Sequence, residues 1–112
     1  MLLIARNTPY KGITQSIDLA KSLNKKLCVV GFSGESSHQL HYLGAQTRAK
    51  TQEYITQSSA VLLLSQYDKE GFYGEGLGLS LLEAAAQGIM GIGSKTGGIP
   101  EAIGPGVLID PH

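Results

Sequence analysis

Two glutamates that flank a glycine-rich turn are the residues of this chain whose types and spacing best suit chemistry. Glu75 and Glu83 stand eight positions apart, and Gly76 and Gly78 follow the first glutamate. A carboxylate accepts charge-assisted hydrogen bonds from hydroxyl groups. Small residues at the start of a helix let an anion reach the backbone N–H groups that lack intrahelical partners. The combination favours a ligand that carries both hydroxyl groups and phosphate.

A helix has to hold these residues in place, and the sequence after the glycines has the pattern of one. Leu77, Leu81, Ala84 and Ala85 fall on one face at helical spacing. Gly88 stands where a glycine commonly ends a helix. We therefore predict a helix that begins at the glycine-rich turn and ends at Gly88.

The start of this helix is the predicted diphosphate site. Along the helix axis Glu75 and Glu83 would lie about 12 Å apart, and their directions would differ by roughly 80°. A nucleotide diphospho-sugar has a similar length, so one glutamate would bind sugar hydroxyls and the other ribose hydroxyls. The diphosphate would bind the backbone amides of the first turn, those of Gly76, Leu77, Gly78 and Leu79.

Two cations follow the first predicted strand, Leu2 to Ala5. Arg6 and Lys11 lie in the strand-to-helix loop that Gly12 closes. Ligands of open α/β sheets bind at the carboxyl ends of the strands, so both cations are candidates to bind a diphosphate, the arginine as a planar fork and the lysine as a point charge. On these two residues alone, a solvated loop is the favoured interpretation.

The rest of the chain alternates between apolar runs and helical patterns. This alternation predicts an α/β fold with a parallel, doubly wound sheet in a single domain, residues 1–112. The later strands are predicted at Leu27–Val30, His41–Leu43, Ala60–Leu64, Ile89–Gly93 and Val107–Ile109. The first helix would bury Ile13, Ile17, Ala20 and Leu23. A second helix would cover residues 48–58 after an N-cap at Thr47.

The connection between the second and third predicted strands is unusually short. Parallel strands normally need a crossover of a dozen or more residues, and here only a polar segment separates Val30 from His41. Either this crossover has no helix, or the third strand is placed wrongly.

The composition excludes several classes of protein. A formal net charge of zero argues against nucleic-acid binding through bulk charge. No apolar run is long enough to span a bilayer, and the first residues lack the pattern of a signal peptide, so we expect a cytoplasmic protein. Cys28 is the single cysteine, which favours an inert core thiol. His38 and His41 are favoured as loop histidines over metal ligands, and no metal is expected.

Two sequence stretches, EGLGLSLLEA at 75–84 and GGIPEAI at 97–103, resemble the C-terminal, donor-binding domain of retaining glycosyltransferases of the GT-B fold, family four, also called glycosyl transferases group 1. The spacing Arg6-x4-Lys11-Gly12 is similar to the opening loop of that family. The resemblance covers the chain from Arg6 to Pro111. It departs from the family in the short connection before the third strand, where the family has a full helix.

The resemblance implies a role for each candidate residue. Arg6 and Lys11 would neutralise the diphosphate leaving group and, with Glu75, form the catalytic set. Glu75 would hold sugar hydroxyls and Glu83 the ribose hydroxyls. The nucleoside base would be flanked by Leu43 and Gly44.

The implied activity is hexosyl transfer, with retention, from a nucleoside diphosphate sugar to an acceptor in carbohydrate biosynthesis. No cofactor is expected, because the two cations supply the charge neutralisation. The chain would be half of a two-domain enzyme without its N-terminal acceptor domain. An acceptor domain or partner chain is therefore expected, and the chain by itself is expected to be inactive. Peripheral membrane association of the full enzyme is compatible with this interpretation.

Two alternatives remain open: a non-catalytic nucleotide-sugar-binding subunit and a domain similar to a nucleotide-sugar epimerase. A dinucleotide-dependent oxidoreductase is disfavoured, because the first strand is not followed by a glycine fingerprint.

Overall fold

The computed structural model describes residues 1–5, 12–64, 79–94 and 106–109. These residues form three helices, which are α1 (Ile13–Ser22), α2 (Arg48–Thr56) and α3 (Leu79–Ala86). They also form six strands, which are β1 (Leu2–Ile4), β2 (Leu27–Val30), β3 (Leu40–Gly44), β4 (Ala60–Leu63), β5 (Met90–Ser94) and β6 (Val107–Ile109).

The six strands form one parallel sheet in the order β3-β2-β1-β4-β5-β6. The two central strands are continuous apolar runs, as expected for parallel strands that are covered on both faces. Leu2, Leu3, Val61 and Leu62 are fully buried. This confirms the predicted α/β fold with a parallel, doubly wound sheet.

Helices cover both faces of the sheet, and side chains alternate between the two cores along each strand. One core includes Leu2 and Val61 from the central strands, together with Ile55 of α2 and Leu81 and Ala84 of α3. The opposite core packs against α1 and is formed by Leu3, Ala20, Leu27, Val29, Ala60, Leu62, Leu64 and Ile92. The helices α2 and α3 therefore share one face, and α1 lies on the other.

The connection between β2 and β3 contains no helix. Residues 31–39 have no regular structure, and β3 still pairs in parallel with β2 at the edge of the sheet. Phe32 packs on the α1 face, where its ring lies 5.5 Å from that of Tyr42. The third strand was therefore predicted in the right place, and an irregular segment takes the position of a crossover helix.

The first helix differs from its prediction at one end. Ala20 is buried, but Leu23 is the C-cap residue and is 48% exposed. Ser16 is fully buried instead. Its hydroxyl donates to the carbonyl oxygen of Gly12 at 2.8 Å, so the buried hydroxyl has a hydrogen-bond partner. A search for apolar residues at helical spacing does not find a serine. The prediction that Leu23 lies on the buried face was therefore wrong.

Most other boundaries agree within two residues. Thr47 caps α2, as predicted, by accepting a hydrogen bond from the backbone N–H of Lys50 at 3.2 Å. Helix α2 ends at Thr56, two residues earlier than expected. Cys28 is half-buried in β2.

Within the ranges that the structure describes, no helix is long and apolar enough to cross a bilayer. Nor do those ranges bring together three or more His, Cys, Asp or Glu side chains that could hold a metal ion.

The start of α1 depends on a close backbone approach at Gly12. Its φ is +67°, in the left-handed region, and a Cβ added there would lie 2.0 Å from the carbonyl oxygen of Leu64. Only glycine satisfies both conditions. The end of the loop after β1 is therefore held against the carboxyl end of β4.

We predict that Gly12→Ala lowers the free energy of unfolding by roughly 2 to 5 kcal/mol, as the sum of the left-handed backbone cost and of forced overpacking. Gly44 is the matched control, because its φ is +68° and no atom of the described residues lies within 4 Å of an added Cβ. Gly44→Ala should cost only about 1 to 2 kcal/mol. Urea denaturation measures both, and equal losses would contradict the role of the Leu64 contact.

Candidate functional site

The predicted site residues divide into two groups. Leu43, Gly44 and Glu83 are described, as is the backbone of Leu79 at the start of α3. The other predicted ligands lie outside the described residues, and they are Arg6, Lys11, Glu75, Gly76, Leu77 and Gly78.

The described residues that flank those segments lie at one edge of the sheet. Strands β1 and β4 are parallel neighbours, so the chain leaves both at their carboxyl ends, at Ala5 and Leu64. Strands β2 and β3 extend the sheet on one side of β1, and strands β5 and β6 extend it on the opposite side, beyond β4. This reversal of strand order is the position at which α/β sheets bind ligands.

A second part of the same edge is the corner after β3. The carbonyl oxygen of Gly44 accepts the backbone N–H of Gly31 at 2.9 Å. The side-chain amide of Gln46 donates to the carbonyl oxygen of Leu43 at 2.6 Å. These bonds hold the turn that leads to the N-cap Thr47. No atom of the described residues lies within 4 Å of a Cβ added at Gly44, so those residues leave room for a flat group beside the backbone there.

Helix α3 positions Glu83 by burying the face that Leu81 and Ala84 form. Leu81 and Ala84 are fully buried, and Leu82 is 44% exposed. This confirms the predicted inner face at these two positions, although Ala85 is only half-buried. The Glu83 side chain is 32% exposed, so part of it reaches the surface of the domain.

Helices α2 and α3 run side by side in the same direction. Arg48 Nη2, at the start of α2, lies 3.8 Å from Glu83 Oε1, in the second turn of α3. At their ends, the Thr56 hydroxyl donates to the side-chain oxygen of Gln87. Glu83 therefore lies beside Arg48, the first residue of α2. Arg48 follows Gly44 by four positions in the sequence.

The ion pair places the predicted ribose ligand Glu83 beside Arg48, which follows the predicted base-flanking residue Gly44 by four positions. Sequence reasoning missed Arg48. The available signal was a basic residue in the first turn of α2, because that turn has no acidic residue.

The family comparison identifies the chain. The model of the family described as glycosyl transferases group 1 matches residues 1–112, and the chain belongs to this family. No curated protein sequence matches the chain well enough to count as a relative.

Solved structures show the same fold. AviGT4, a glycosyltransferase involved in avilamycin A biosynthesis, matches with a TM-score of 0.79 at 21% identity, over 100% of this chain and 38% of its own. Sucrose-phosphate synthase from Thermosynechococcus elongatus matches with a TM-score of 0.80 at 21% identity, over 99% of this chain and 32% of the synthase chain. HepE from Anabaena, solved in complex with UDP and glucose, matches with a TM-score of 0.76 at 19% identity, over 98% and 34%. The chain spans about a third of the length of each of these structures.

The anchoring of α3 gives a stability prediction. Leu81→Ala should lower the free energy of unfolding by about 2 to 5 kcal/mol, because it leaves a cavity in the core. The adjacent Leu82→Ala, on the exposed side of the same helix, should change it by only about 0.5 kcal/mol. Chemical denaturation of both variants tests this assignment, and a larger loss for Leu82→Ala would show that the helix faces the sheet differently.

Proposed function

We propose that this chain is the donor-binding domain of a retaining glycosyltransferase of family four, and that its ligand is a nucleoside diphosphate sugar. The activity proposed is transfer of a hexosyl group to an acceptor. Family membership supports the class of reaction. The observation that carries the site is the position of Glu83, whose carboxylate lies beside Arg48 at the start of α2, four residues along the chain from Gly44.

The nucleoside end of the ligand is assigned to the described residues. Glu83 would accept hydrogen bonds from the ribose hydroxyls, since an exposed carboxylate can accept several at once. Leu43 and Gly44 would flank the base at the open corner. The Arg48–Glu83 ion pair supports these assignments, because it places α3, which carries Glu83, against the start of α2, which follows Leu43 and Gly44 of β3 in the chain.

The diphosphate and the sugar are assigned to residues at the central edge. Arg6 and Lys11 would neutralise the charge that develops on the diphosphate as the glycosidic bond breaks, which is the main electrostatic requirement of this reaction. The backbone amides of residues 76–79 would add to this stabilisation at the start of α3. Glu75 would hold the hydroxyls of the transferred sugar.

The acceptor is proposed to bind outside this domain. The chain corresponds to about a third of structures such as AviGT4 and HepE. An acceptor domain or partner chain would complete the enzyme, and the chain alone would bind the donor with little or no turnover. No cofactor enters this proposal, because arginine, lysine and backbone amides supply the electrostatic stabilisation.

A scan of nucleotide sugars for thermal stabilisation tests the proposal directly. A ligand that binds only the folded chain stabilises it by RT ln(1 + [L]/Kd), about 2.7 kcal/mol at a hundredfold excess over Kd. We expect at least one nucleoside diphosphate sugar to raise the melting temperature, and the matching nucleoside monophosphate to have a weaker effect. A panel without any stabilising nucleotide would refute the proposal.

The two glutamates should have separable effects on binding. Glu83→Ala should lower the affinities for both the nucleoside diphosphate and its sugar conjugate by about tenfold to a hundredfold. This is the loss expected for hydrogen bonds to a charged group. Glu75→Ala should weaken only the sugar conjugate. Calorimetric titration of each variant with both ligands measures the difference.

Equal losses for both ligands in both variants would contradict this division between the glutamates. Product analysis with a labelled donor and the completed enzyme separates transfer from the other uses of the same site. Transfer yields a glycosylated acceptor, whereas an epimerase-like domain changes the sugar and a binding subunit leaves the donor intact.

A further inference from the structure

We propose that Arg48 is a positioning residue for the nucleoside end of the site, and that it holds the Glu83 carboxylate in the orientation that accepts the ribose hydroxyls. This inference rests on the proposed function, because it concerns how Glu83 is presented to the nucleotide.

The contact between the two side chains involves one oxygen of the carboxylate. Among the described residues, Arg48 Nη2 lies 3.8 Å from Oε1 of Glu83. An ionised carboxylate has two oxygens and about four acceptor positions. The second oxygen can therefore accept ribose hydroxyls while the first remains beside the guanidinium.

The position of Arg48 within α2 also indicates a role outside its own helix. It is the first residue of α2, where the helix dipole disfavours a cation, and no acidic residue in that turn compensates. Its positions i+3 and i+4 are Thr51 and Gln52, so its own helix offers no carboxylate at the positions that face Arg48. The acidic partner comes from α3.

Lys50 provides an internal comparison, because it lies in the same turn with the same charge. Its Nζ pairs with Glu53 Oε2 of its own helix at 3.2 Å. Lys50 therefore satisfies its charge locally, whereas Arg48 reaches across to the neighbouring helix.

Stability does not explain the Arg48 contact. The Arg48 side chain is 82% exposed and that of Glu83 is 32% exposed, and ion pairs in such positions contribute little to folding. The effect of the contact on the orientation of Glu83 is a separate matter. A glutamate side chain has several rotamers, and ligand binding requires that one of them be selected. A guanidinium beside the carboxylate makes that selection before the ligand arrives.

The test measures binding of the full chain by calorimetry, using whichever of UDP, ADP and GDP binds it most tightly, and the 2′,3′-dideoxy analogue of the same nucleotide. Arg48→Gln should lower the affinity for the ribose nucleotide by about threefold to tenfold. It should change the affinity for the dideoxy analogue by less than about twofold. Arg48→Lys should retain part of the affinity, since it keeps the charge without the planar fork. Lys50→Gln is the matched control and should leave both affinities unchanged.

A double-mutant cycle completes the test. In a Glu83→Ala background, Arg48→Gln should cause no further loss, because the group that it positions is gone. Melting temperatures of all variants should remain close to that of the unmodified chain.

Three outcomes would overturn the inference, and they are distinguishable from one another. Equal losses for the ribose and dideoxy ligands would show that Arg48 acts on the phosphates or the base directly. Unchanged affinities in Arg48→Gln, with binding by the unmodified chain intact, would refute the positioning role and leave the proposed function standing. Failure of the unmodified chain to bind any of the three nucleotides would overturn the proposed function, and this inference would fall with it.

Discussion

The parallel pairing of β1 with β4 is the constraint on which the rest of this domain depends. These two strands are buried on both faces, and each continues the sheet in the opposite direction from the other. Because their carboxyl ends meet at one edge, the chain leaves both strands at the same place. The close approach of Gly12 to the Leu64 carbonyl places the start of α1 against the end of β4. Strand order alone therefore predicts a ligand site at this edge, before any individual side chain is considered.

The layer formed by α2 and α3 extends this edge toward β3. Each helix buries a short apolar stripe against the same core, with Ile55 from α2 and Leu81 from α3. Side-by-side packing brings the start of α2 next to the second turn of α3. The Arg48–Glu83 pair is the result, and it links the start of α2, four residues after Gly44, to the helix that carries a predicted ribose ligand. The proposed nucleoside half of the site therefore depends on how these two helices pack on one face of the sheet.

The short connection between β2 and β3 shows how the fold tolerates the loss of regular structure. Nothing in strand pairing requires a helix there, because a parallel neighbour needs only enough chain to return across the face of the sheet. Residues 31–39 do this, and Phe32 covers the α1 core beside Tyr42. The edge strand β3 keeps its register with β2 apart from an irregularity between Val29 and Val30. The carboxyl edge, where the corner at Gly44 lies, is therefore preserved.

The sequence alone determined the fold class, because buried parallel strands are continuous apolar runs and their alternation with helices permits few arrangements. It also determined the family, through motifs whose residue types and order are specific, and the N-cap at Thr47, which is a local interaction. Tertiary structure decided which residues meet. The burial of Ser16 depends on the carbonyl oxygen of Gly12, and the exposure of Leu23 depends on where α1 ends relative to the sheet. The pairing of Arg48 with Glu83 depends on how two helices pack, and helix packing is a long-range interaction that periodicity along one segment does not encode.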